Sequence, residues 1–235
     1  MPLAFLCVFT EPGTEVTIEE YQDWYDNEHV PLRANHLHSV LTAARYRAID
    51  DQEPGWVAVY DFDDKASFED ESYTRLRANR SPREGDLIKR LKFLDRRTCE
   101  QVADSGEVAL TTSFKPGNPS RWLVIHGLNT KDGTNEQAKA WFNKQVSRFK
   151  ETKVEAWART RLEDCYDSGK TGLGVGKGPE EQVVPKFLVV HEFDSIDAAR
   201  QFSTDIVVDD AVTVLEVRVF ELYRAYPCIA QGPIS

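Results

Sequence analysis

The sequence has few of the residues that mark disulfide-rich or metal-binding proteins. Only four cysteines occur among 235 residues, and they form neither a C-x-x-C pair nor a cluster with histidines. Isolated thiols of this kind are typical of buried free cysteines in a reducing compartment. We therefore predict a cytoplasmic protein with no bound metal.

Long hydrophobic runs are also missing. No apolar stretch approaches the roughly eighteen residues of a membrane-spanning helix. The apolar start of the chain, up to Phe9, has no basic residues before it and is interrupted at Glu11-Pro12-Gly13, so we expect a buried first strand rather than a signal peptide.

Positive charge is in deficit. The chain has 29 Lys and Arg against 39 Asp and Glu, a net charge of -10. An acidic surface repels phosphate, which argues against nucleic acid and anionic membranes as partners. Two basic stretches, Arg75–Arg83 and Lys89–Arg97, are interrupted by acidic and apolar residues. They are expected to be solvated faces rather than a binding patch.

What the sequence does contain is an internal repeat. Trp24-Tyr25 precedes an apolar segment ending in Arg45-x-Arg47, and Trp141-Phe142 precedes one ending in Arg159-x-Arg161. A capping box stands before each aromatic pair, and it predicts a helix start. The two boxes are Thr17-x-x-Glu20 and Thr134-x-x-Gln137.

The repeat predicts the domain organisation. Each half has the order strand, helix, strand, strand, helix, strand, with repeats at 1–104 and 121–235 and a linker at 105–120. A βαββαβ unit is ferredoxin-like and leaves one sheet face to be covered. Packing sheet against sheet would give an α+β fold, an eight-stranded barrel in one chain. The expected strands are 3–10, 39–47, 56–63, 91–102, 122–128, 152–161, 186–194 and 212–226.

The segment Trp24–Pro31 carries a family likeness. Its W-Y-x-x-E-H-x-P pattern resembles the EthD-type branch of the dimeric α+β barrel superfamily, over residues 1 to 102. The resemblance implies small enzymes that need no cofactor and that decarboxylate, dehydrate, cyclise or isomerise aromatic or polyketide-like molecules. Cofactor-free oxygenases, haem enzymes and proteins without known activity also use this barrel. It further implies that His29 is an acid–base residue lining a pocket between helices and sheet.

The second half departs from that pattern. With the tryptophans aligned, Asn143-Lys144-Gln145-Val146 replaces Asn27-Glu28-His29-Val30, without histidine or proline. This predicts one working site, in the N-terminal half, and a degenerate second copy.

Three residues are predicted to be catalytic. His29 is expected to end the first helix, where the helix dipole favours its charged form and poises it near neutral pH. It could instead be only a helix cap. Tyr25 lies one helical turn earlier, and Asp26 could orient the imidazole ring. Alternatively, Tyr25 is a core residue and Asp26 a solvated charge.

Further residues are predicted to bind the substrate, with core packing as the alternative for the aromatic ones. They are Trp24, His36, His38, Tyr60, Phe62 and Tyr73. The glycine-rich run Gly169–Gly178 matches neither a phosphate-binding loop nor a dinucleotide fingerprint, so we expect a flexible hairpin that could act as a lid.

The leading prediction is a cofactor-independent lyase or isomerase (decarboxylase, dehydratase or cyclase) acting on a small aromatic or polyketide-like metabolite. A cofactor-free oxygenase and a non-catalytic binding protein are the alternatives. The fused repeat allows a monomer, although a homodimer is also compatible with the sequence.

Overall fold

The structure, a computed structural model, describes residues 3–106, 110–152, 156–205 and 210–234. Its centre is a closed barrel of eight antiparallel strands, in the order β1-β3-β2-β8-β5-β7-β6-β4. The strands are β1 Ala4–Glu11, β2 Val40–Ala48, β3 Trp56–Phe62, β4 Phe93–Asp104, β5 Trp122–Thr130, β6 Trp157–Thr171, β7 Phe187–Phe193 and β8 Val212–Tyr226. The predicted α+β barrel is confirmed.

Helices cover the outside of the barrel. They are α1 Ile18–Trp24, α2 Pro31–Ala34, α3 Glu71–Ala78, α4 Pro82–Arg90, α5 Asn135–Thr152 and α6 Ile196–Thr204, with a π-helical turn at Tyr25–His29. Among the described residues, no helix is both long and apolar enough to cross a membrane.

Strand order is the same in the two halves of the chain. The first half has the order β4-β1-β3-β2 and the second has β8-β5-β7-β6. The halves join where β2 pairs with β8 and where β4 pairs with β6. A substrate site beside either seam can therefore receive residues from both halves.

Both faces of the sheet are buried, which explains the strongly apolar strands. Along β1, Phe5 and Cys7 face the barrel interior, whereas Leu6 and Val8 face the helices. Successive strand residues point to opposite faces, so one strand serves two cores.

The interior also holds charged groups. Arg161 donates to Asp61 at 2.5 Å, and Glu192 accepts hydrogen bonds from two serine hydroxyls. Glu163 is fully buried, and neither of its carboxyl oxygens has a hydrogen-bond partner among the residues that the structure describes. Burial raises the Glu163 pKa to about 8, against the influence of Arg161. Its carboxyl group is therefore largely protonated at neutral pH.

The predicted helix starts are present. The hydroxyl of Thr17 accepts a hydrogen bond from the Glu20 backbone at 3.2 Å, and that of Thr134 accepts one from Gln137 at 3.3 Å. The predicted end of the first helix at His29 is wrong. Pro31 occupies the first turn of α2, where its missing N–H is not needed, so the chain remains helical as far as Ala34.

Two other segments differ from expectation. Between β3 and β4 there are two helices, α3 and α4, instead of one. Strand β6 extends to Thr171, which pairs with Leu94, so the first part of the glycine-rich run is strand. Hydrogen bonds from Leu173 and Gly174 to backbone carbonyls near the start of β4 hold the next part. Residues 153–155, inside the strand predicted at 152–161, lie outside the described residues.

Candidate functional site

A cavity of about 670 Å³ lies between the outer face of β1 and β4 and the helices of the first half. Four of the predicted site residues line it, namely Trp24, Tyr25, His29 and Tyr73. Leu6, Val8 and Leu94 supply apolar surface from the sheet. The volume is in the range of small-molecule sites.

The imidazole of His29 is held by a carboxylate. Nδ1 of His29 lies 2.8 Å from Oε1 of Glu84, and Glu84 is almost completely buried. Burial opposes the charged form of Glu84, yet the hydrogen bond from His29 lowers the pKa of Glu84 below its ordinary value. The ionised carboxylate can only accept, so Nδ1 carries the proton. Nε2 has no hydrogen-bond partner in the described parts of the chain.

The pKa of His29 differs from the sequence expectation. Burial and the nearby Arg33 charge lower it to about 4, although the Glu84 hydrogen bond acts in the opposite direction. The prediction that His29 ends a helix and is favoured in its charged form is wrong, because the chain continues into α2 and the imidazole ring is buried. His29 is therefore neutral near pH 7 and able to accept a proton at Nε2.

Glu84 reaches His29 from helix α4. The Ser81 hydroxyl caps this helix by accepting a hydrogen bond from the Glu84 backbone at 3.0 Å. Sequence analysis missed this role of Glu84. The pattern Ser81-x-x-Glu84 has the form of a capping box, but it could not show that the Glu84 side chain turns to a histidine 55 residues away.

Aromatic rings fix the position of the histidine. The centres of the Trp24 and Tyr25 rings lie 4.7 and 5.1 Å from that of His29. Nε1 of Trp24 is buried and has no hydrogen-bond partner in the described part of the chain, which is uncommon for a buried donor. Arg33 donates to the backbone carbonyl of His29 at 2.6 Å.

Asp26 points away from this histidine. It accepts hydrogen bonds from Arg45 at 3.0 Å, from Tyr223 at 3.0 Å and from Arg224 at 3.2 Å, and also from Tyr226. These contacts tie the π-helical turn to β2 and β8. In the described hydrogen-bond network, Glu84 and not Asp26 contacts the His29 ring.

The remaining predicted binding residues do not line the cavity. Tyr60 and Phe62 are buried in the core between β3 and the helices. His36 and His38 are exposed and border a separate surface depression with Asp70. The structure therefore brings four of the nine predicted site residues to the cavity.

Basic side chains that the sequence analysis assigned to solvated faces also reach the cavity. Arg77, Arg80 and Lys89 stand at its rim, and Arg96 lies further in. The opposite wall comes from the second half, from Asp167 to Leu173. The glycine-rich segment, expected to be a flexible lid, thus contributes part of this wall.

In the second half, two buried histidines lie between the helices and the sheet, and a smaller cavity of about 350 Å³ lies beside Phe149 and Phe202. His126 and His191 are completely buried, and their ring nitrogens lie 3.1 Å apart. The rings of Phe149 and Phe202 pack against His191, with centres at 5.8 and 4.5 Å. Burial lowers the pKa of both histidines, that of His126 to about 3. Within the described residues, no three His, Cys, Asp or Glu side chains are grouped as metal ligands.

Comparison with known proteins supports the fold. No family model matches the sequence, and neither does any curated protein. Solved structures do match. An anthrone oxidase-like protein is 11% identical, with 96% of this chain and 92% of that one aligned and a TM-score of 0.58. A candidate monooxygenase from Lactobacillus acidophilus is 8% identical, with 97% of both chains aligned and a TM-score of 0.57.

A third match is a candidate chlorite dismutase, 10% identical, with 95% of this chain and 96% of that one aligned and a TM-score of 0.52. This chain shares the α+β barrel fold of these three proteins. It is the fold expected of the dimeric α+β barrel superfamily. At such low identity the matches establish the fold alone.

Proposed function

We propose that this protein is a cofactor-independent lyase or isomerase whose general base is His29, held by Glu84. The observation that carries the proposal is the 2.8 Å contact between Nδ1 of His29 and Oε1 of Glu84 on the wall of the cavity. A carboxylate in this position fixes the tautomer and ring orientation and stabilises the protonated ring. The proposal covers proton removal next to a carbonyl. In a decarboxylation, Nε2 takes a proton from water and passes it to the carbanion that loss of CO₂ leaves.

The proposed reaction uses few groups. The substrate is an aromatic or polyketide-like molecule that packs against Trp24, Tyr73 and the apolar strand residues. Nε2 of His29 takes a proton from carbon and the electron pair moves onto the carbonyl oxygen. Tyr25, which lines the same cavity, stabilises the resulting enolate. In an isomerisation, His29 then returns the proton to another carbon. In a dehydration, it protonates the β-hydroxyl group, which leaves as water, and in a cyclisation it protonates the alkoxide formed when the carbanion attacks a second carbonyl.

We also propose that the chain is a fused repeat of two EthD-like units, at 1–104 and 121–235, with one working site. The matched strand orders and the complete burial of His126 and His191 support this. In that case the barrel needs no second chain, so a monomer is expected, and a homodimer would form through helix faces. A cytoplasmic location stays a prediction from the cysteine pattern.

A cofactor-free oxygenase is the second candidate. Two proteins with the same fold are named as anthrone oxidase-like and as a candidate monooxygenase. The first step would be the same, because a carbanion formed by His29 can react with oxygen. Oxygen uptake during turnover, followed with an electrode, would separate this reaction from a lyase or isomerase.

The test is hydrogen–deuterium exchange at C2 of benzoylacetate and ethyl benzoylacetate in D₂O, followed by proton NMR. Benzoylacetate loss and CO₂ release are recorded in the same samples. We expect protein-dependent exchange or turnover that His29→Gln lowers by roughly 10²- to 10⁴-fold. His38→Gln, at an exposed histidine outside the cavity, is the matched control. Equal rates in wild type and His29→Gln would refute the proposal, and ligand binding without any turnover would favour a binding protein.

A further inference from the structure

The charges around the cavity contrast with the rest of the protein. The chain carries a net charge of -10, yet five cationic residues and one acidic residue line this cavity. The cations are Arg33, Arg77, Arg80, Lys89 and Arg96, and the acid is Asp167. Concentrated charge of one sign in a cleft attracts ligands of the opposite sign.

The ion pairing of these cations is uneven. Arg96 pairs with Asp167 at 3.1 Å. Within the described residues, Arg33, Arg77 and the other two rim cations form no ion pair. The carboxylate of Glu84 is bonded to His29, so Arg33 influences it only through space.

Arg33 carries the argument because it is buried. Only 4% of this residue is exposed, and one of its nitrogens donates to the His29 carbonyl. Buried charges in proteins are normally paired, since transferring an unpaired charge out of water is unfavourable. A buried guanidinium that faces a cavity without a carboxylate partner is therefore a site for an anion.

Repulsion among the cations at the cavity rim also indicates a site for an anion. Burial, and next the charge of Arg96, lower the pKa of Arg77 below its ordinary value. The cations repel one another across the cavity, and an anion between them would relieve this repulsion. Arg77 and Arg80 are exposed, so solvent screens their contribution and they should act mainly on the rate of association.

We propose that the cavity binds its substrate through a carboxylate, with Arg33 as the main contact, so that the substrate is an aromatic or polyketide-like acid. Arginine matches a carboxylate because its planar group can donate two parallel hydrogen bonds. The apolar remainder of such an acid would lie against Trp24, Leu6 and Leu94. This inference rests on the proposed function, because it names the substrate class of the same site.

The inference also links binding to the proposed base. Arg33 is among the causes that lower the His29 pKa. A carboxylate beside Arg33 would offset that effect, so binding should raise the His29 pKa and be accompanied by proton uptake at pH values just above 4. The histidine would thus become a stronger base only when the acid is bound.

The test compares pairs of ligands that differ only in charge. Benzoate, 2-naphthoate and anthracene-2-carboxylate are each titrated against their carboxamides, with tryptophan fluorescence and calorimetry as readouts. We expect at least one acid to bind about tenfold or more tightly than its amide. Arg33→Gln should remove this preference. Arg200→Gln, at an exposed arginine of α6, is the matched control and should preserve it.

A second variant covers the case in which Arg33→Gln does not fold. The double variant Arg77→Gln/Arg80→Gln should weaken carboxylate binding at low salt and leave carboxamide binding unchanged. Equal affinity for acid and amide in the wild type, or no binding of any acid, would overturn the inference. Charge-selective binding without turnover would instead leave the inference standing and refute the proposed function.

Discussion

His29 and Glu84 are joined by a hydrogen bond of 2.8 Å although they belong to different helical segments, 55 residues apart. Because the Glu84 hydrogen bond raises the His29 pKa, its removal should lower that pKa below about 4. We expect Glu84→Gln to lower kcat/KM between roughly tenfold and 10⁴-fold, and to shift the acid limb of the pH profile to lower pH.

The matched control for this prediction is Asp86→Asn, two residues along the same helix. Asp86 is exposed and bonds to Arg90, outside the His29 contact. It should leave both rate and pH profile unchanged. A lower rate in Glu84→Gln with an unchanged acid limb would mean that Glu84 contributes only to stability.

Stability should fall on the acid side of neutrality. Burial holds the pKa of His29 at about 4, of His126 at about 3 and of His191 well below 6.5. Below pH 6.5 the unfolded chain therefore binds protons that the folded protein does not bind. The free energy of unfolding should decrease by on the order of 1 kcal/mol per histidine for each pH unit.

Urea denaturation at several pH values between 7 and 4 would measure this loss. His126→Gln should reduce the slope of the free energy of unfolding against pH by the contribution of one histidine. His38→Gln, at an exposed histidine, should leave this slope as in the wild type. A free energy of unfolding that is constant from pH 7 to pH 5 would contradict the neutral, buried histidines.

Glu163 should affect stability with the opposite dependence on pH. Its pKa is about 8 in the fold against an ordinary 4.5. Between these values the unfolded chain releases a proton that the folded protein keeps, so stability is lost as pH rises from 4.5 to 8. Glu163→Gln removes this ionisable group. We expect it to increase the free energy of unfolding at pH 8 by on the order of a few kcal/mol and hardly at pH 4. Destabilisation at both pH values would contradict the prediction.

The backbone at Gly172 has a positive φ of +133°, and a Cβ there would stand 2.6 Å from the carbonyl oxygen of Lys92. Gly172→Ala should displace the cavity wall, lower the melting temperature and weaken ligand binding. Gly232→Ala is a matched control, because Gly232 has a φ of +131° and open space around its Cβ position. Gly232→Ala introduces similar backbone strain but no contact with a neighbouring residue. Similar ligand affinities in the two variants would show that the contact with Lys92 does not shape the cavity.

Asp26→Asn separates the catalytic prediction for Asp26 from a structural role. Asp26 accepts hydrogen bonds from Arg45, Tyr223 and Arg224, and Arg45 is buried. Removing the negative charge should lower the free energy of unfolding by roughly 3 kcal/mol, since it leaves a buried cation without its partner. Turnover per folded molecule should change little. A large fall in kcat with normal stability would restore Asp26 as a catalytic residue.

The barrel could be predicted because its signals are local or repeated. Apolar strands, two capping boxes and the two Trp-aromatic pairs each depend on neighbouring residues, and the repetition restricts the ways of packing the sheets. The extended β6 could not be foreseen, because Gly169 normally ends a strand. Pairing with β4 across the seam overrides this local preference.

The site was predicted less completely for the same physical reason. Trp24, Tyr25 and His29 lie within one motif, so their closeness in space follows from their closeness in sequence. Glu84 matters through a tertiary contact that no short pattern contains. Arg33 is only four residues from His29, but its burial depends on tertiary packing that the sequence pattern does not show. Their charge signs were visible, but a basic residue on an exposed face and one on a cavity rim look alike in sequence.

Strand β6 and the segment after it, up to Leu173, supply one wall of a cavity whose histidine belongs to the other half of the same polypeptide. In a barrel built from two identical chains, any substitution in this wall would appear twice, once beside each copy of the site. In a single chain it appears once. Mutation can therefore reshape the ligand-facing wall on β6 while β2, the equivalent strand of the first half, keeps the sequence that folding requires. Substrate specificity and folding can then be selected independently.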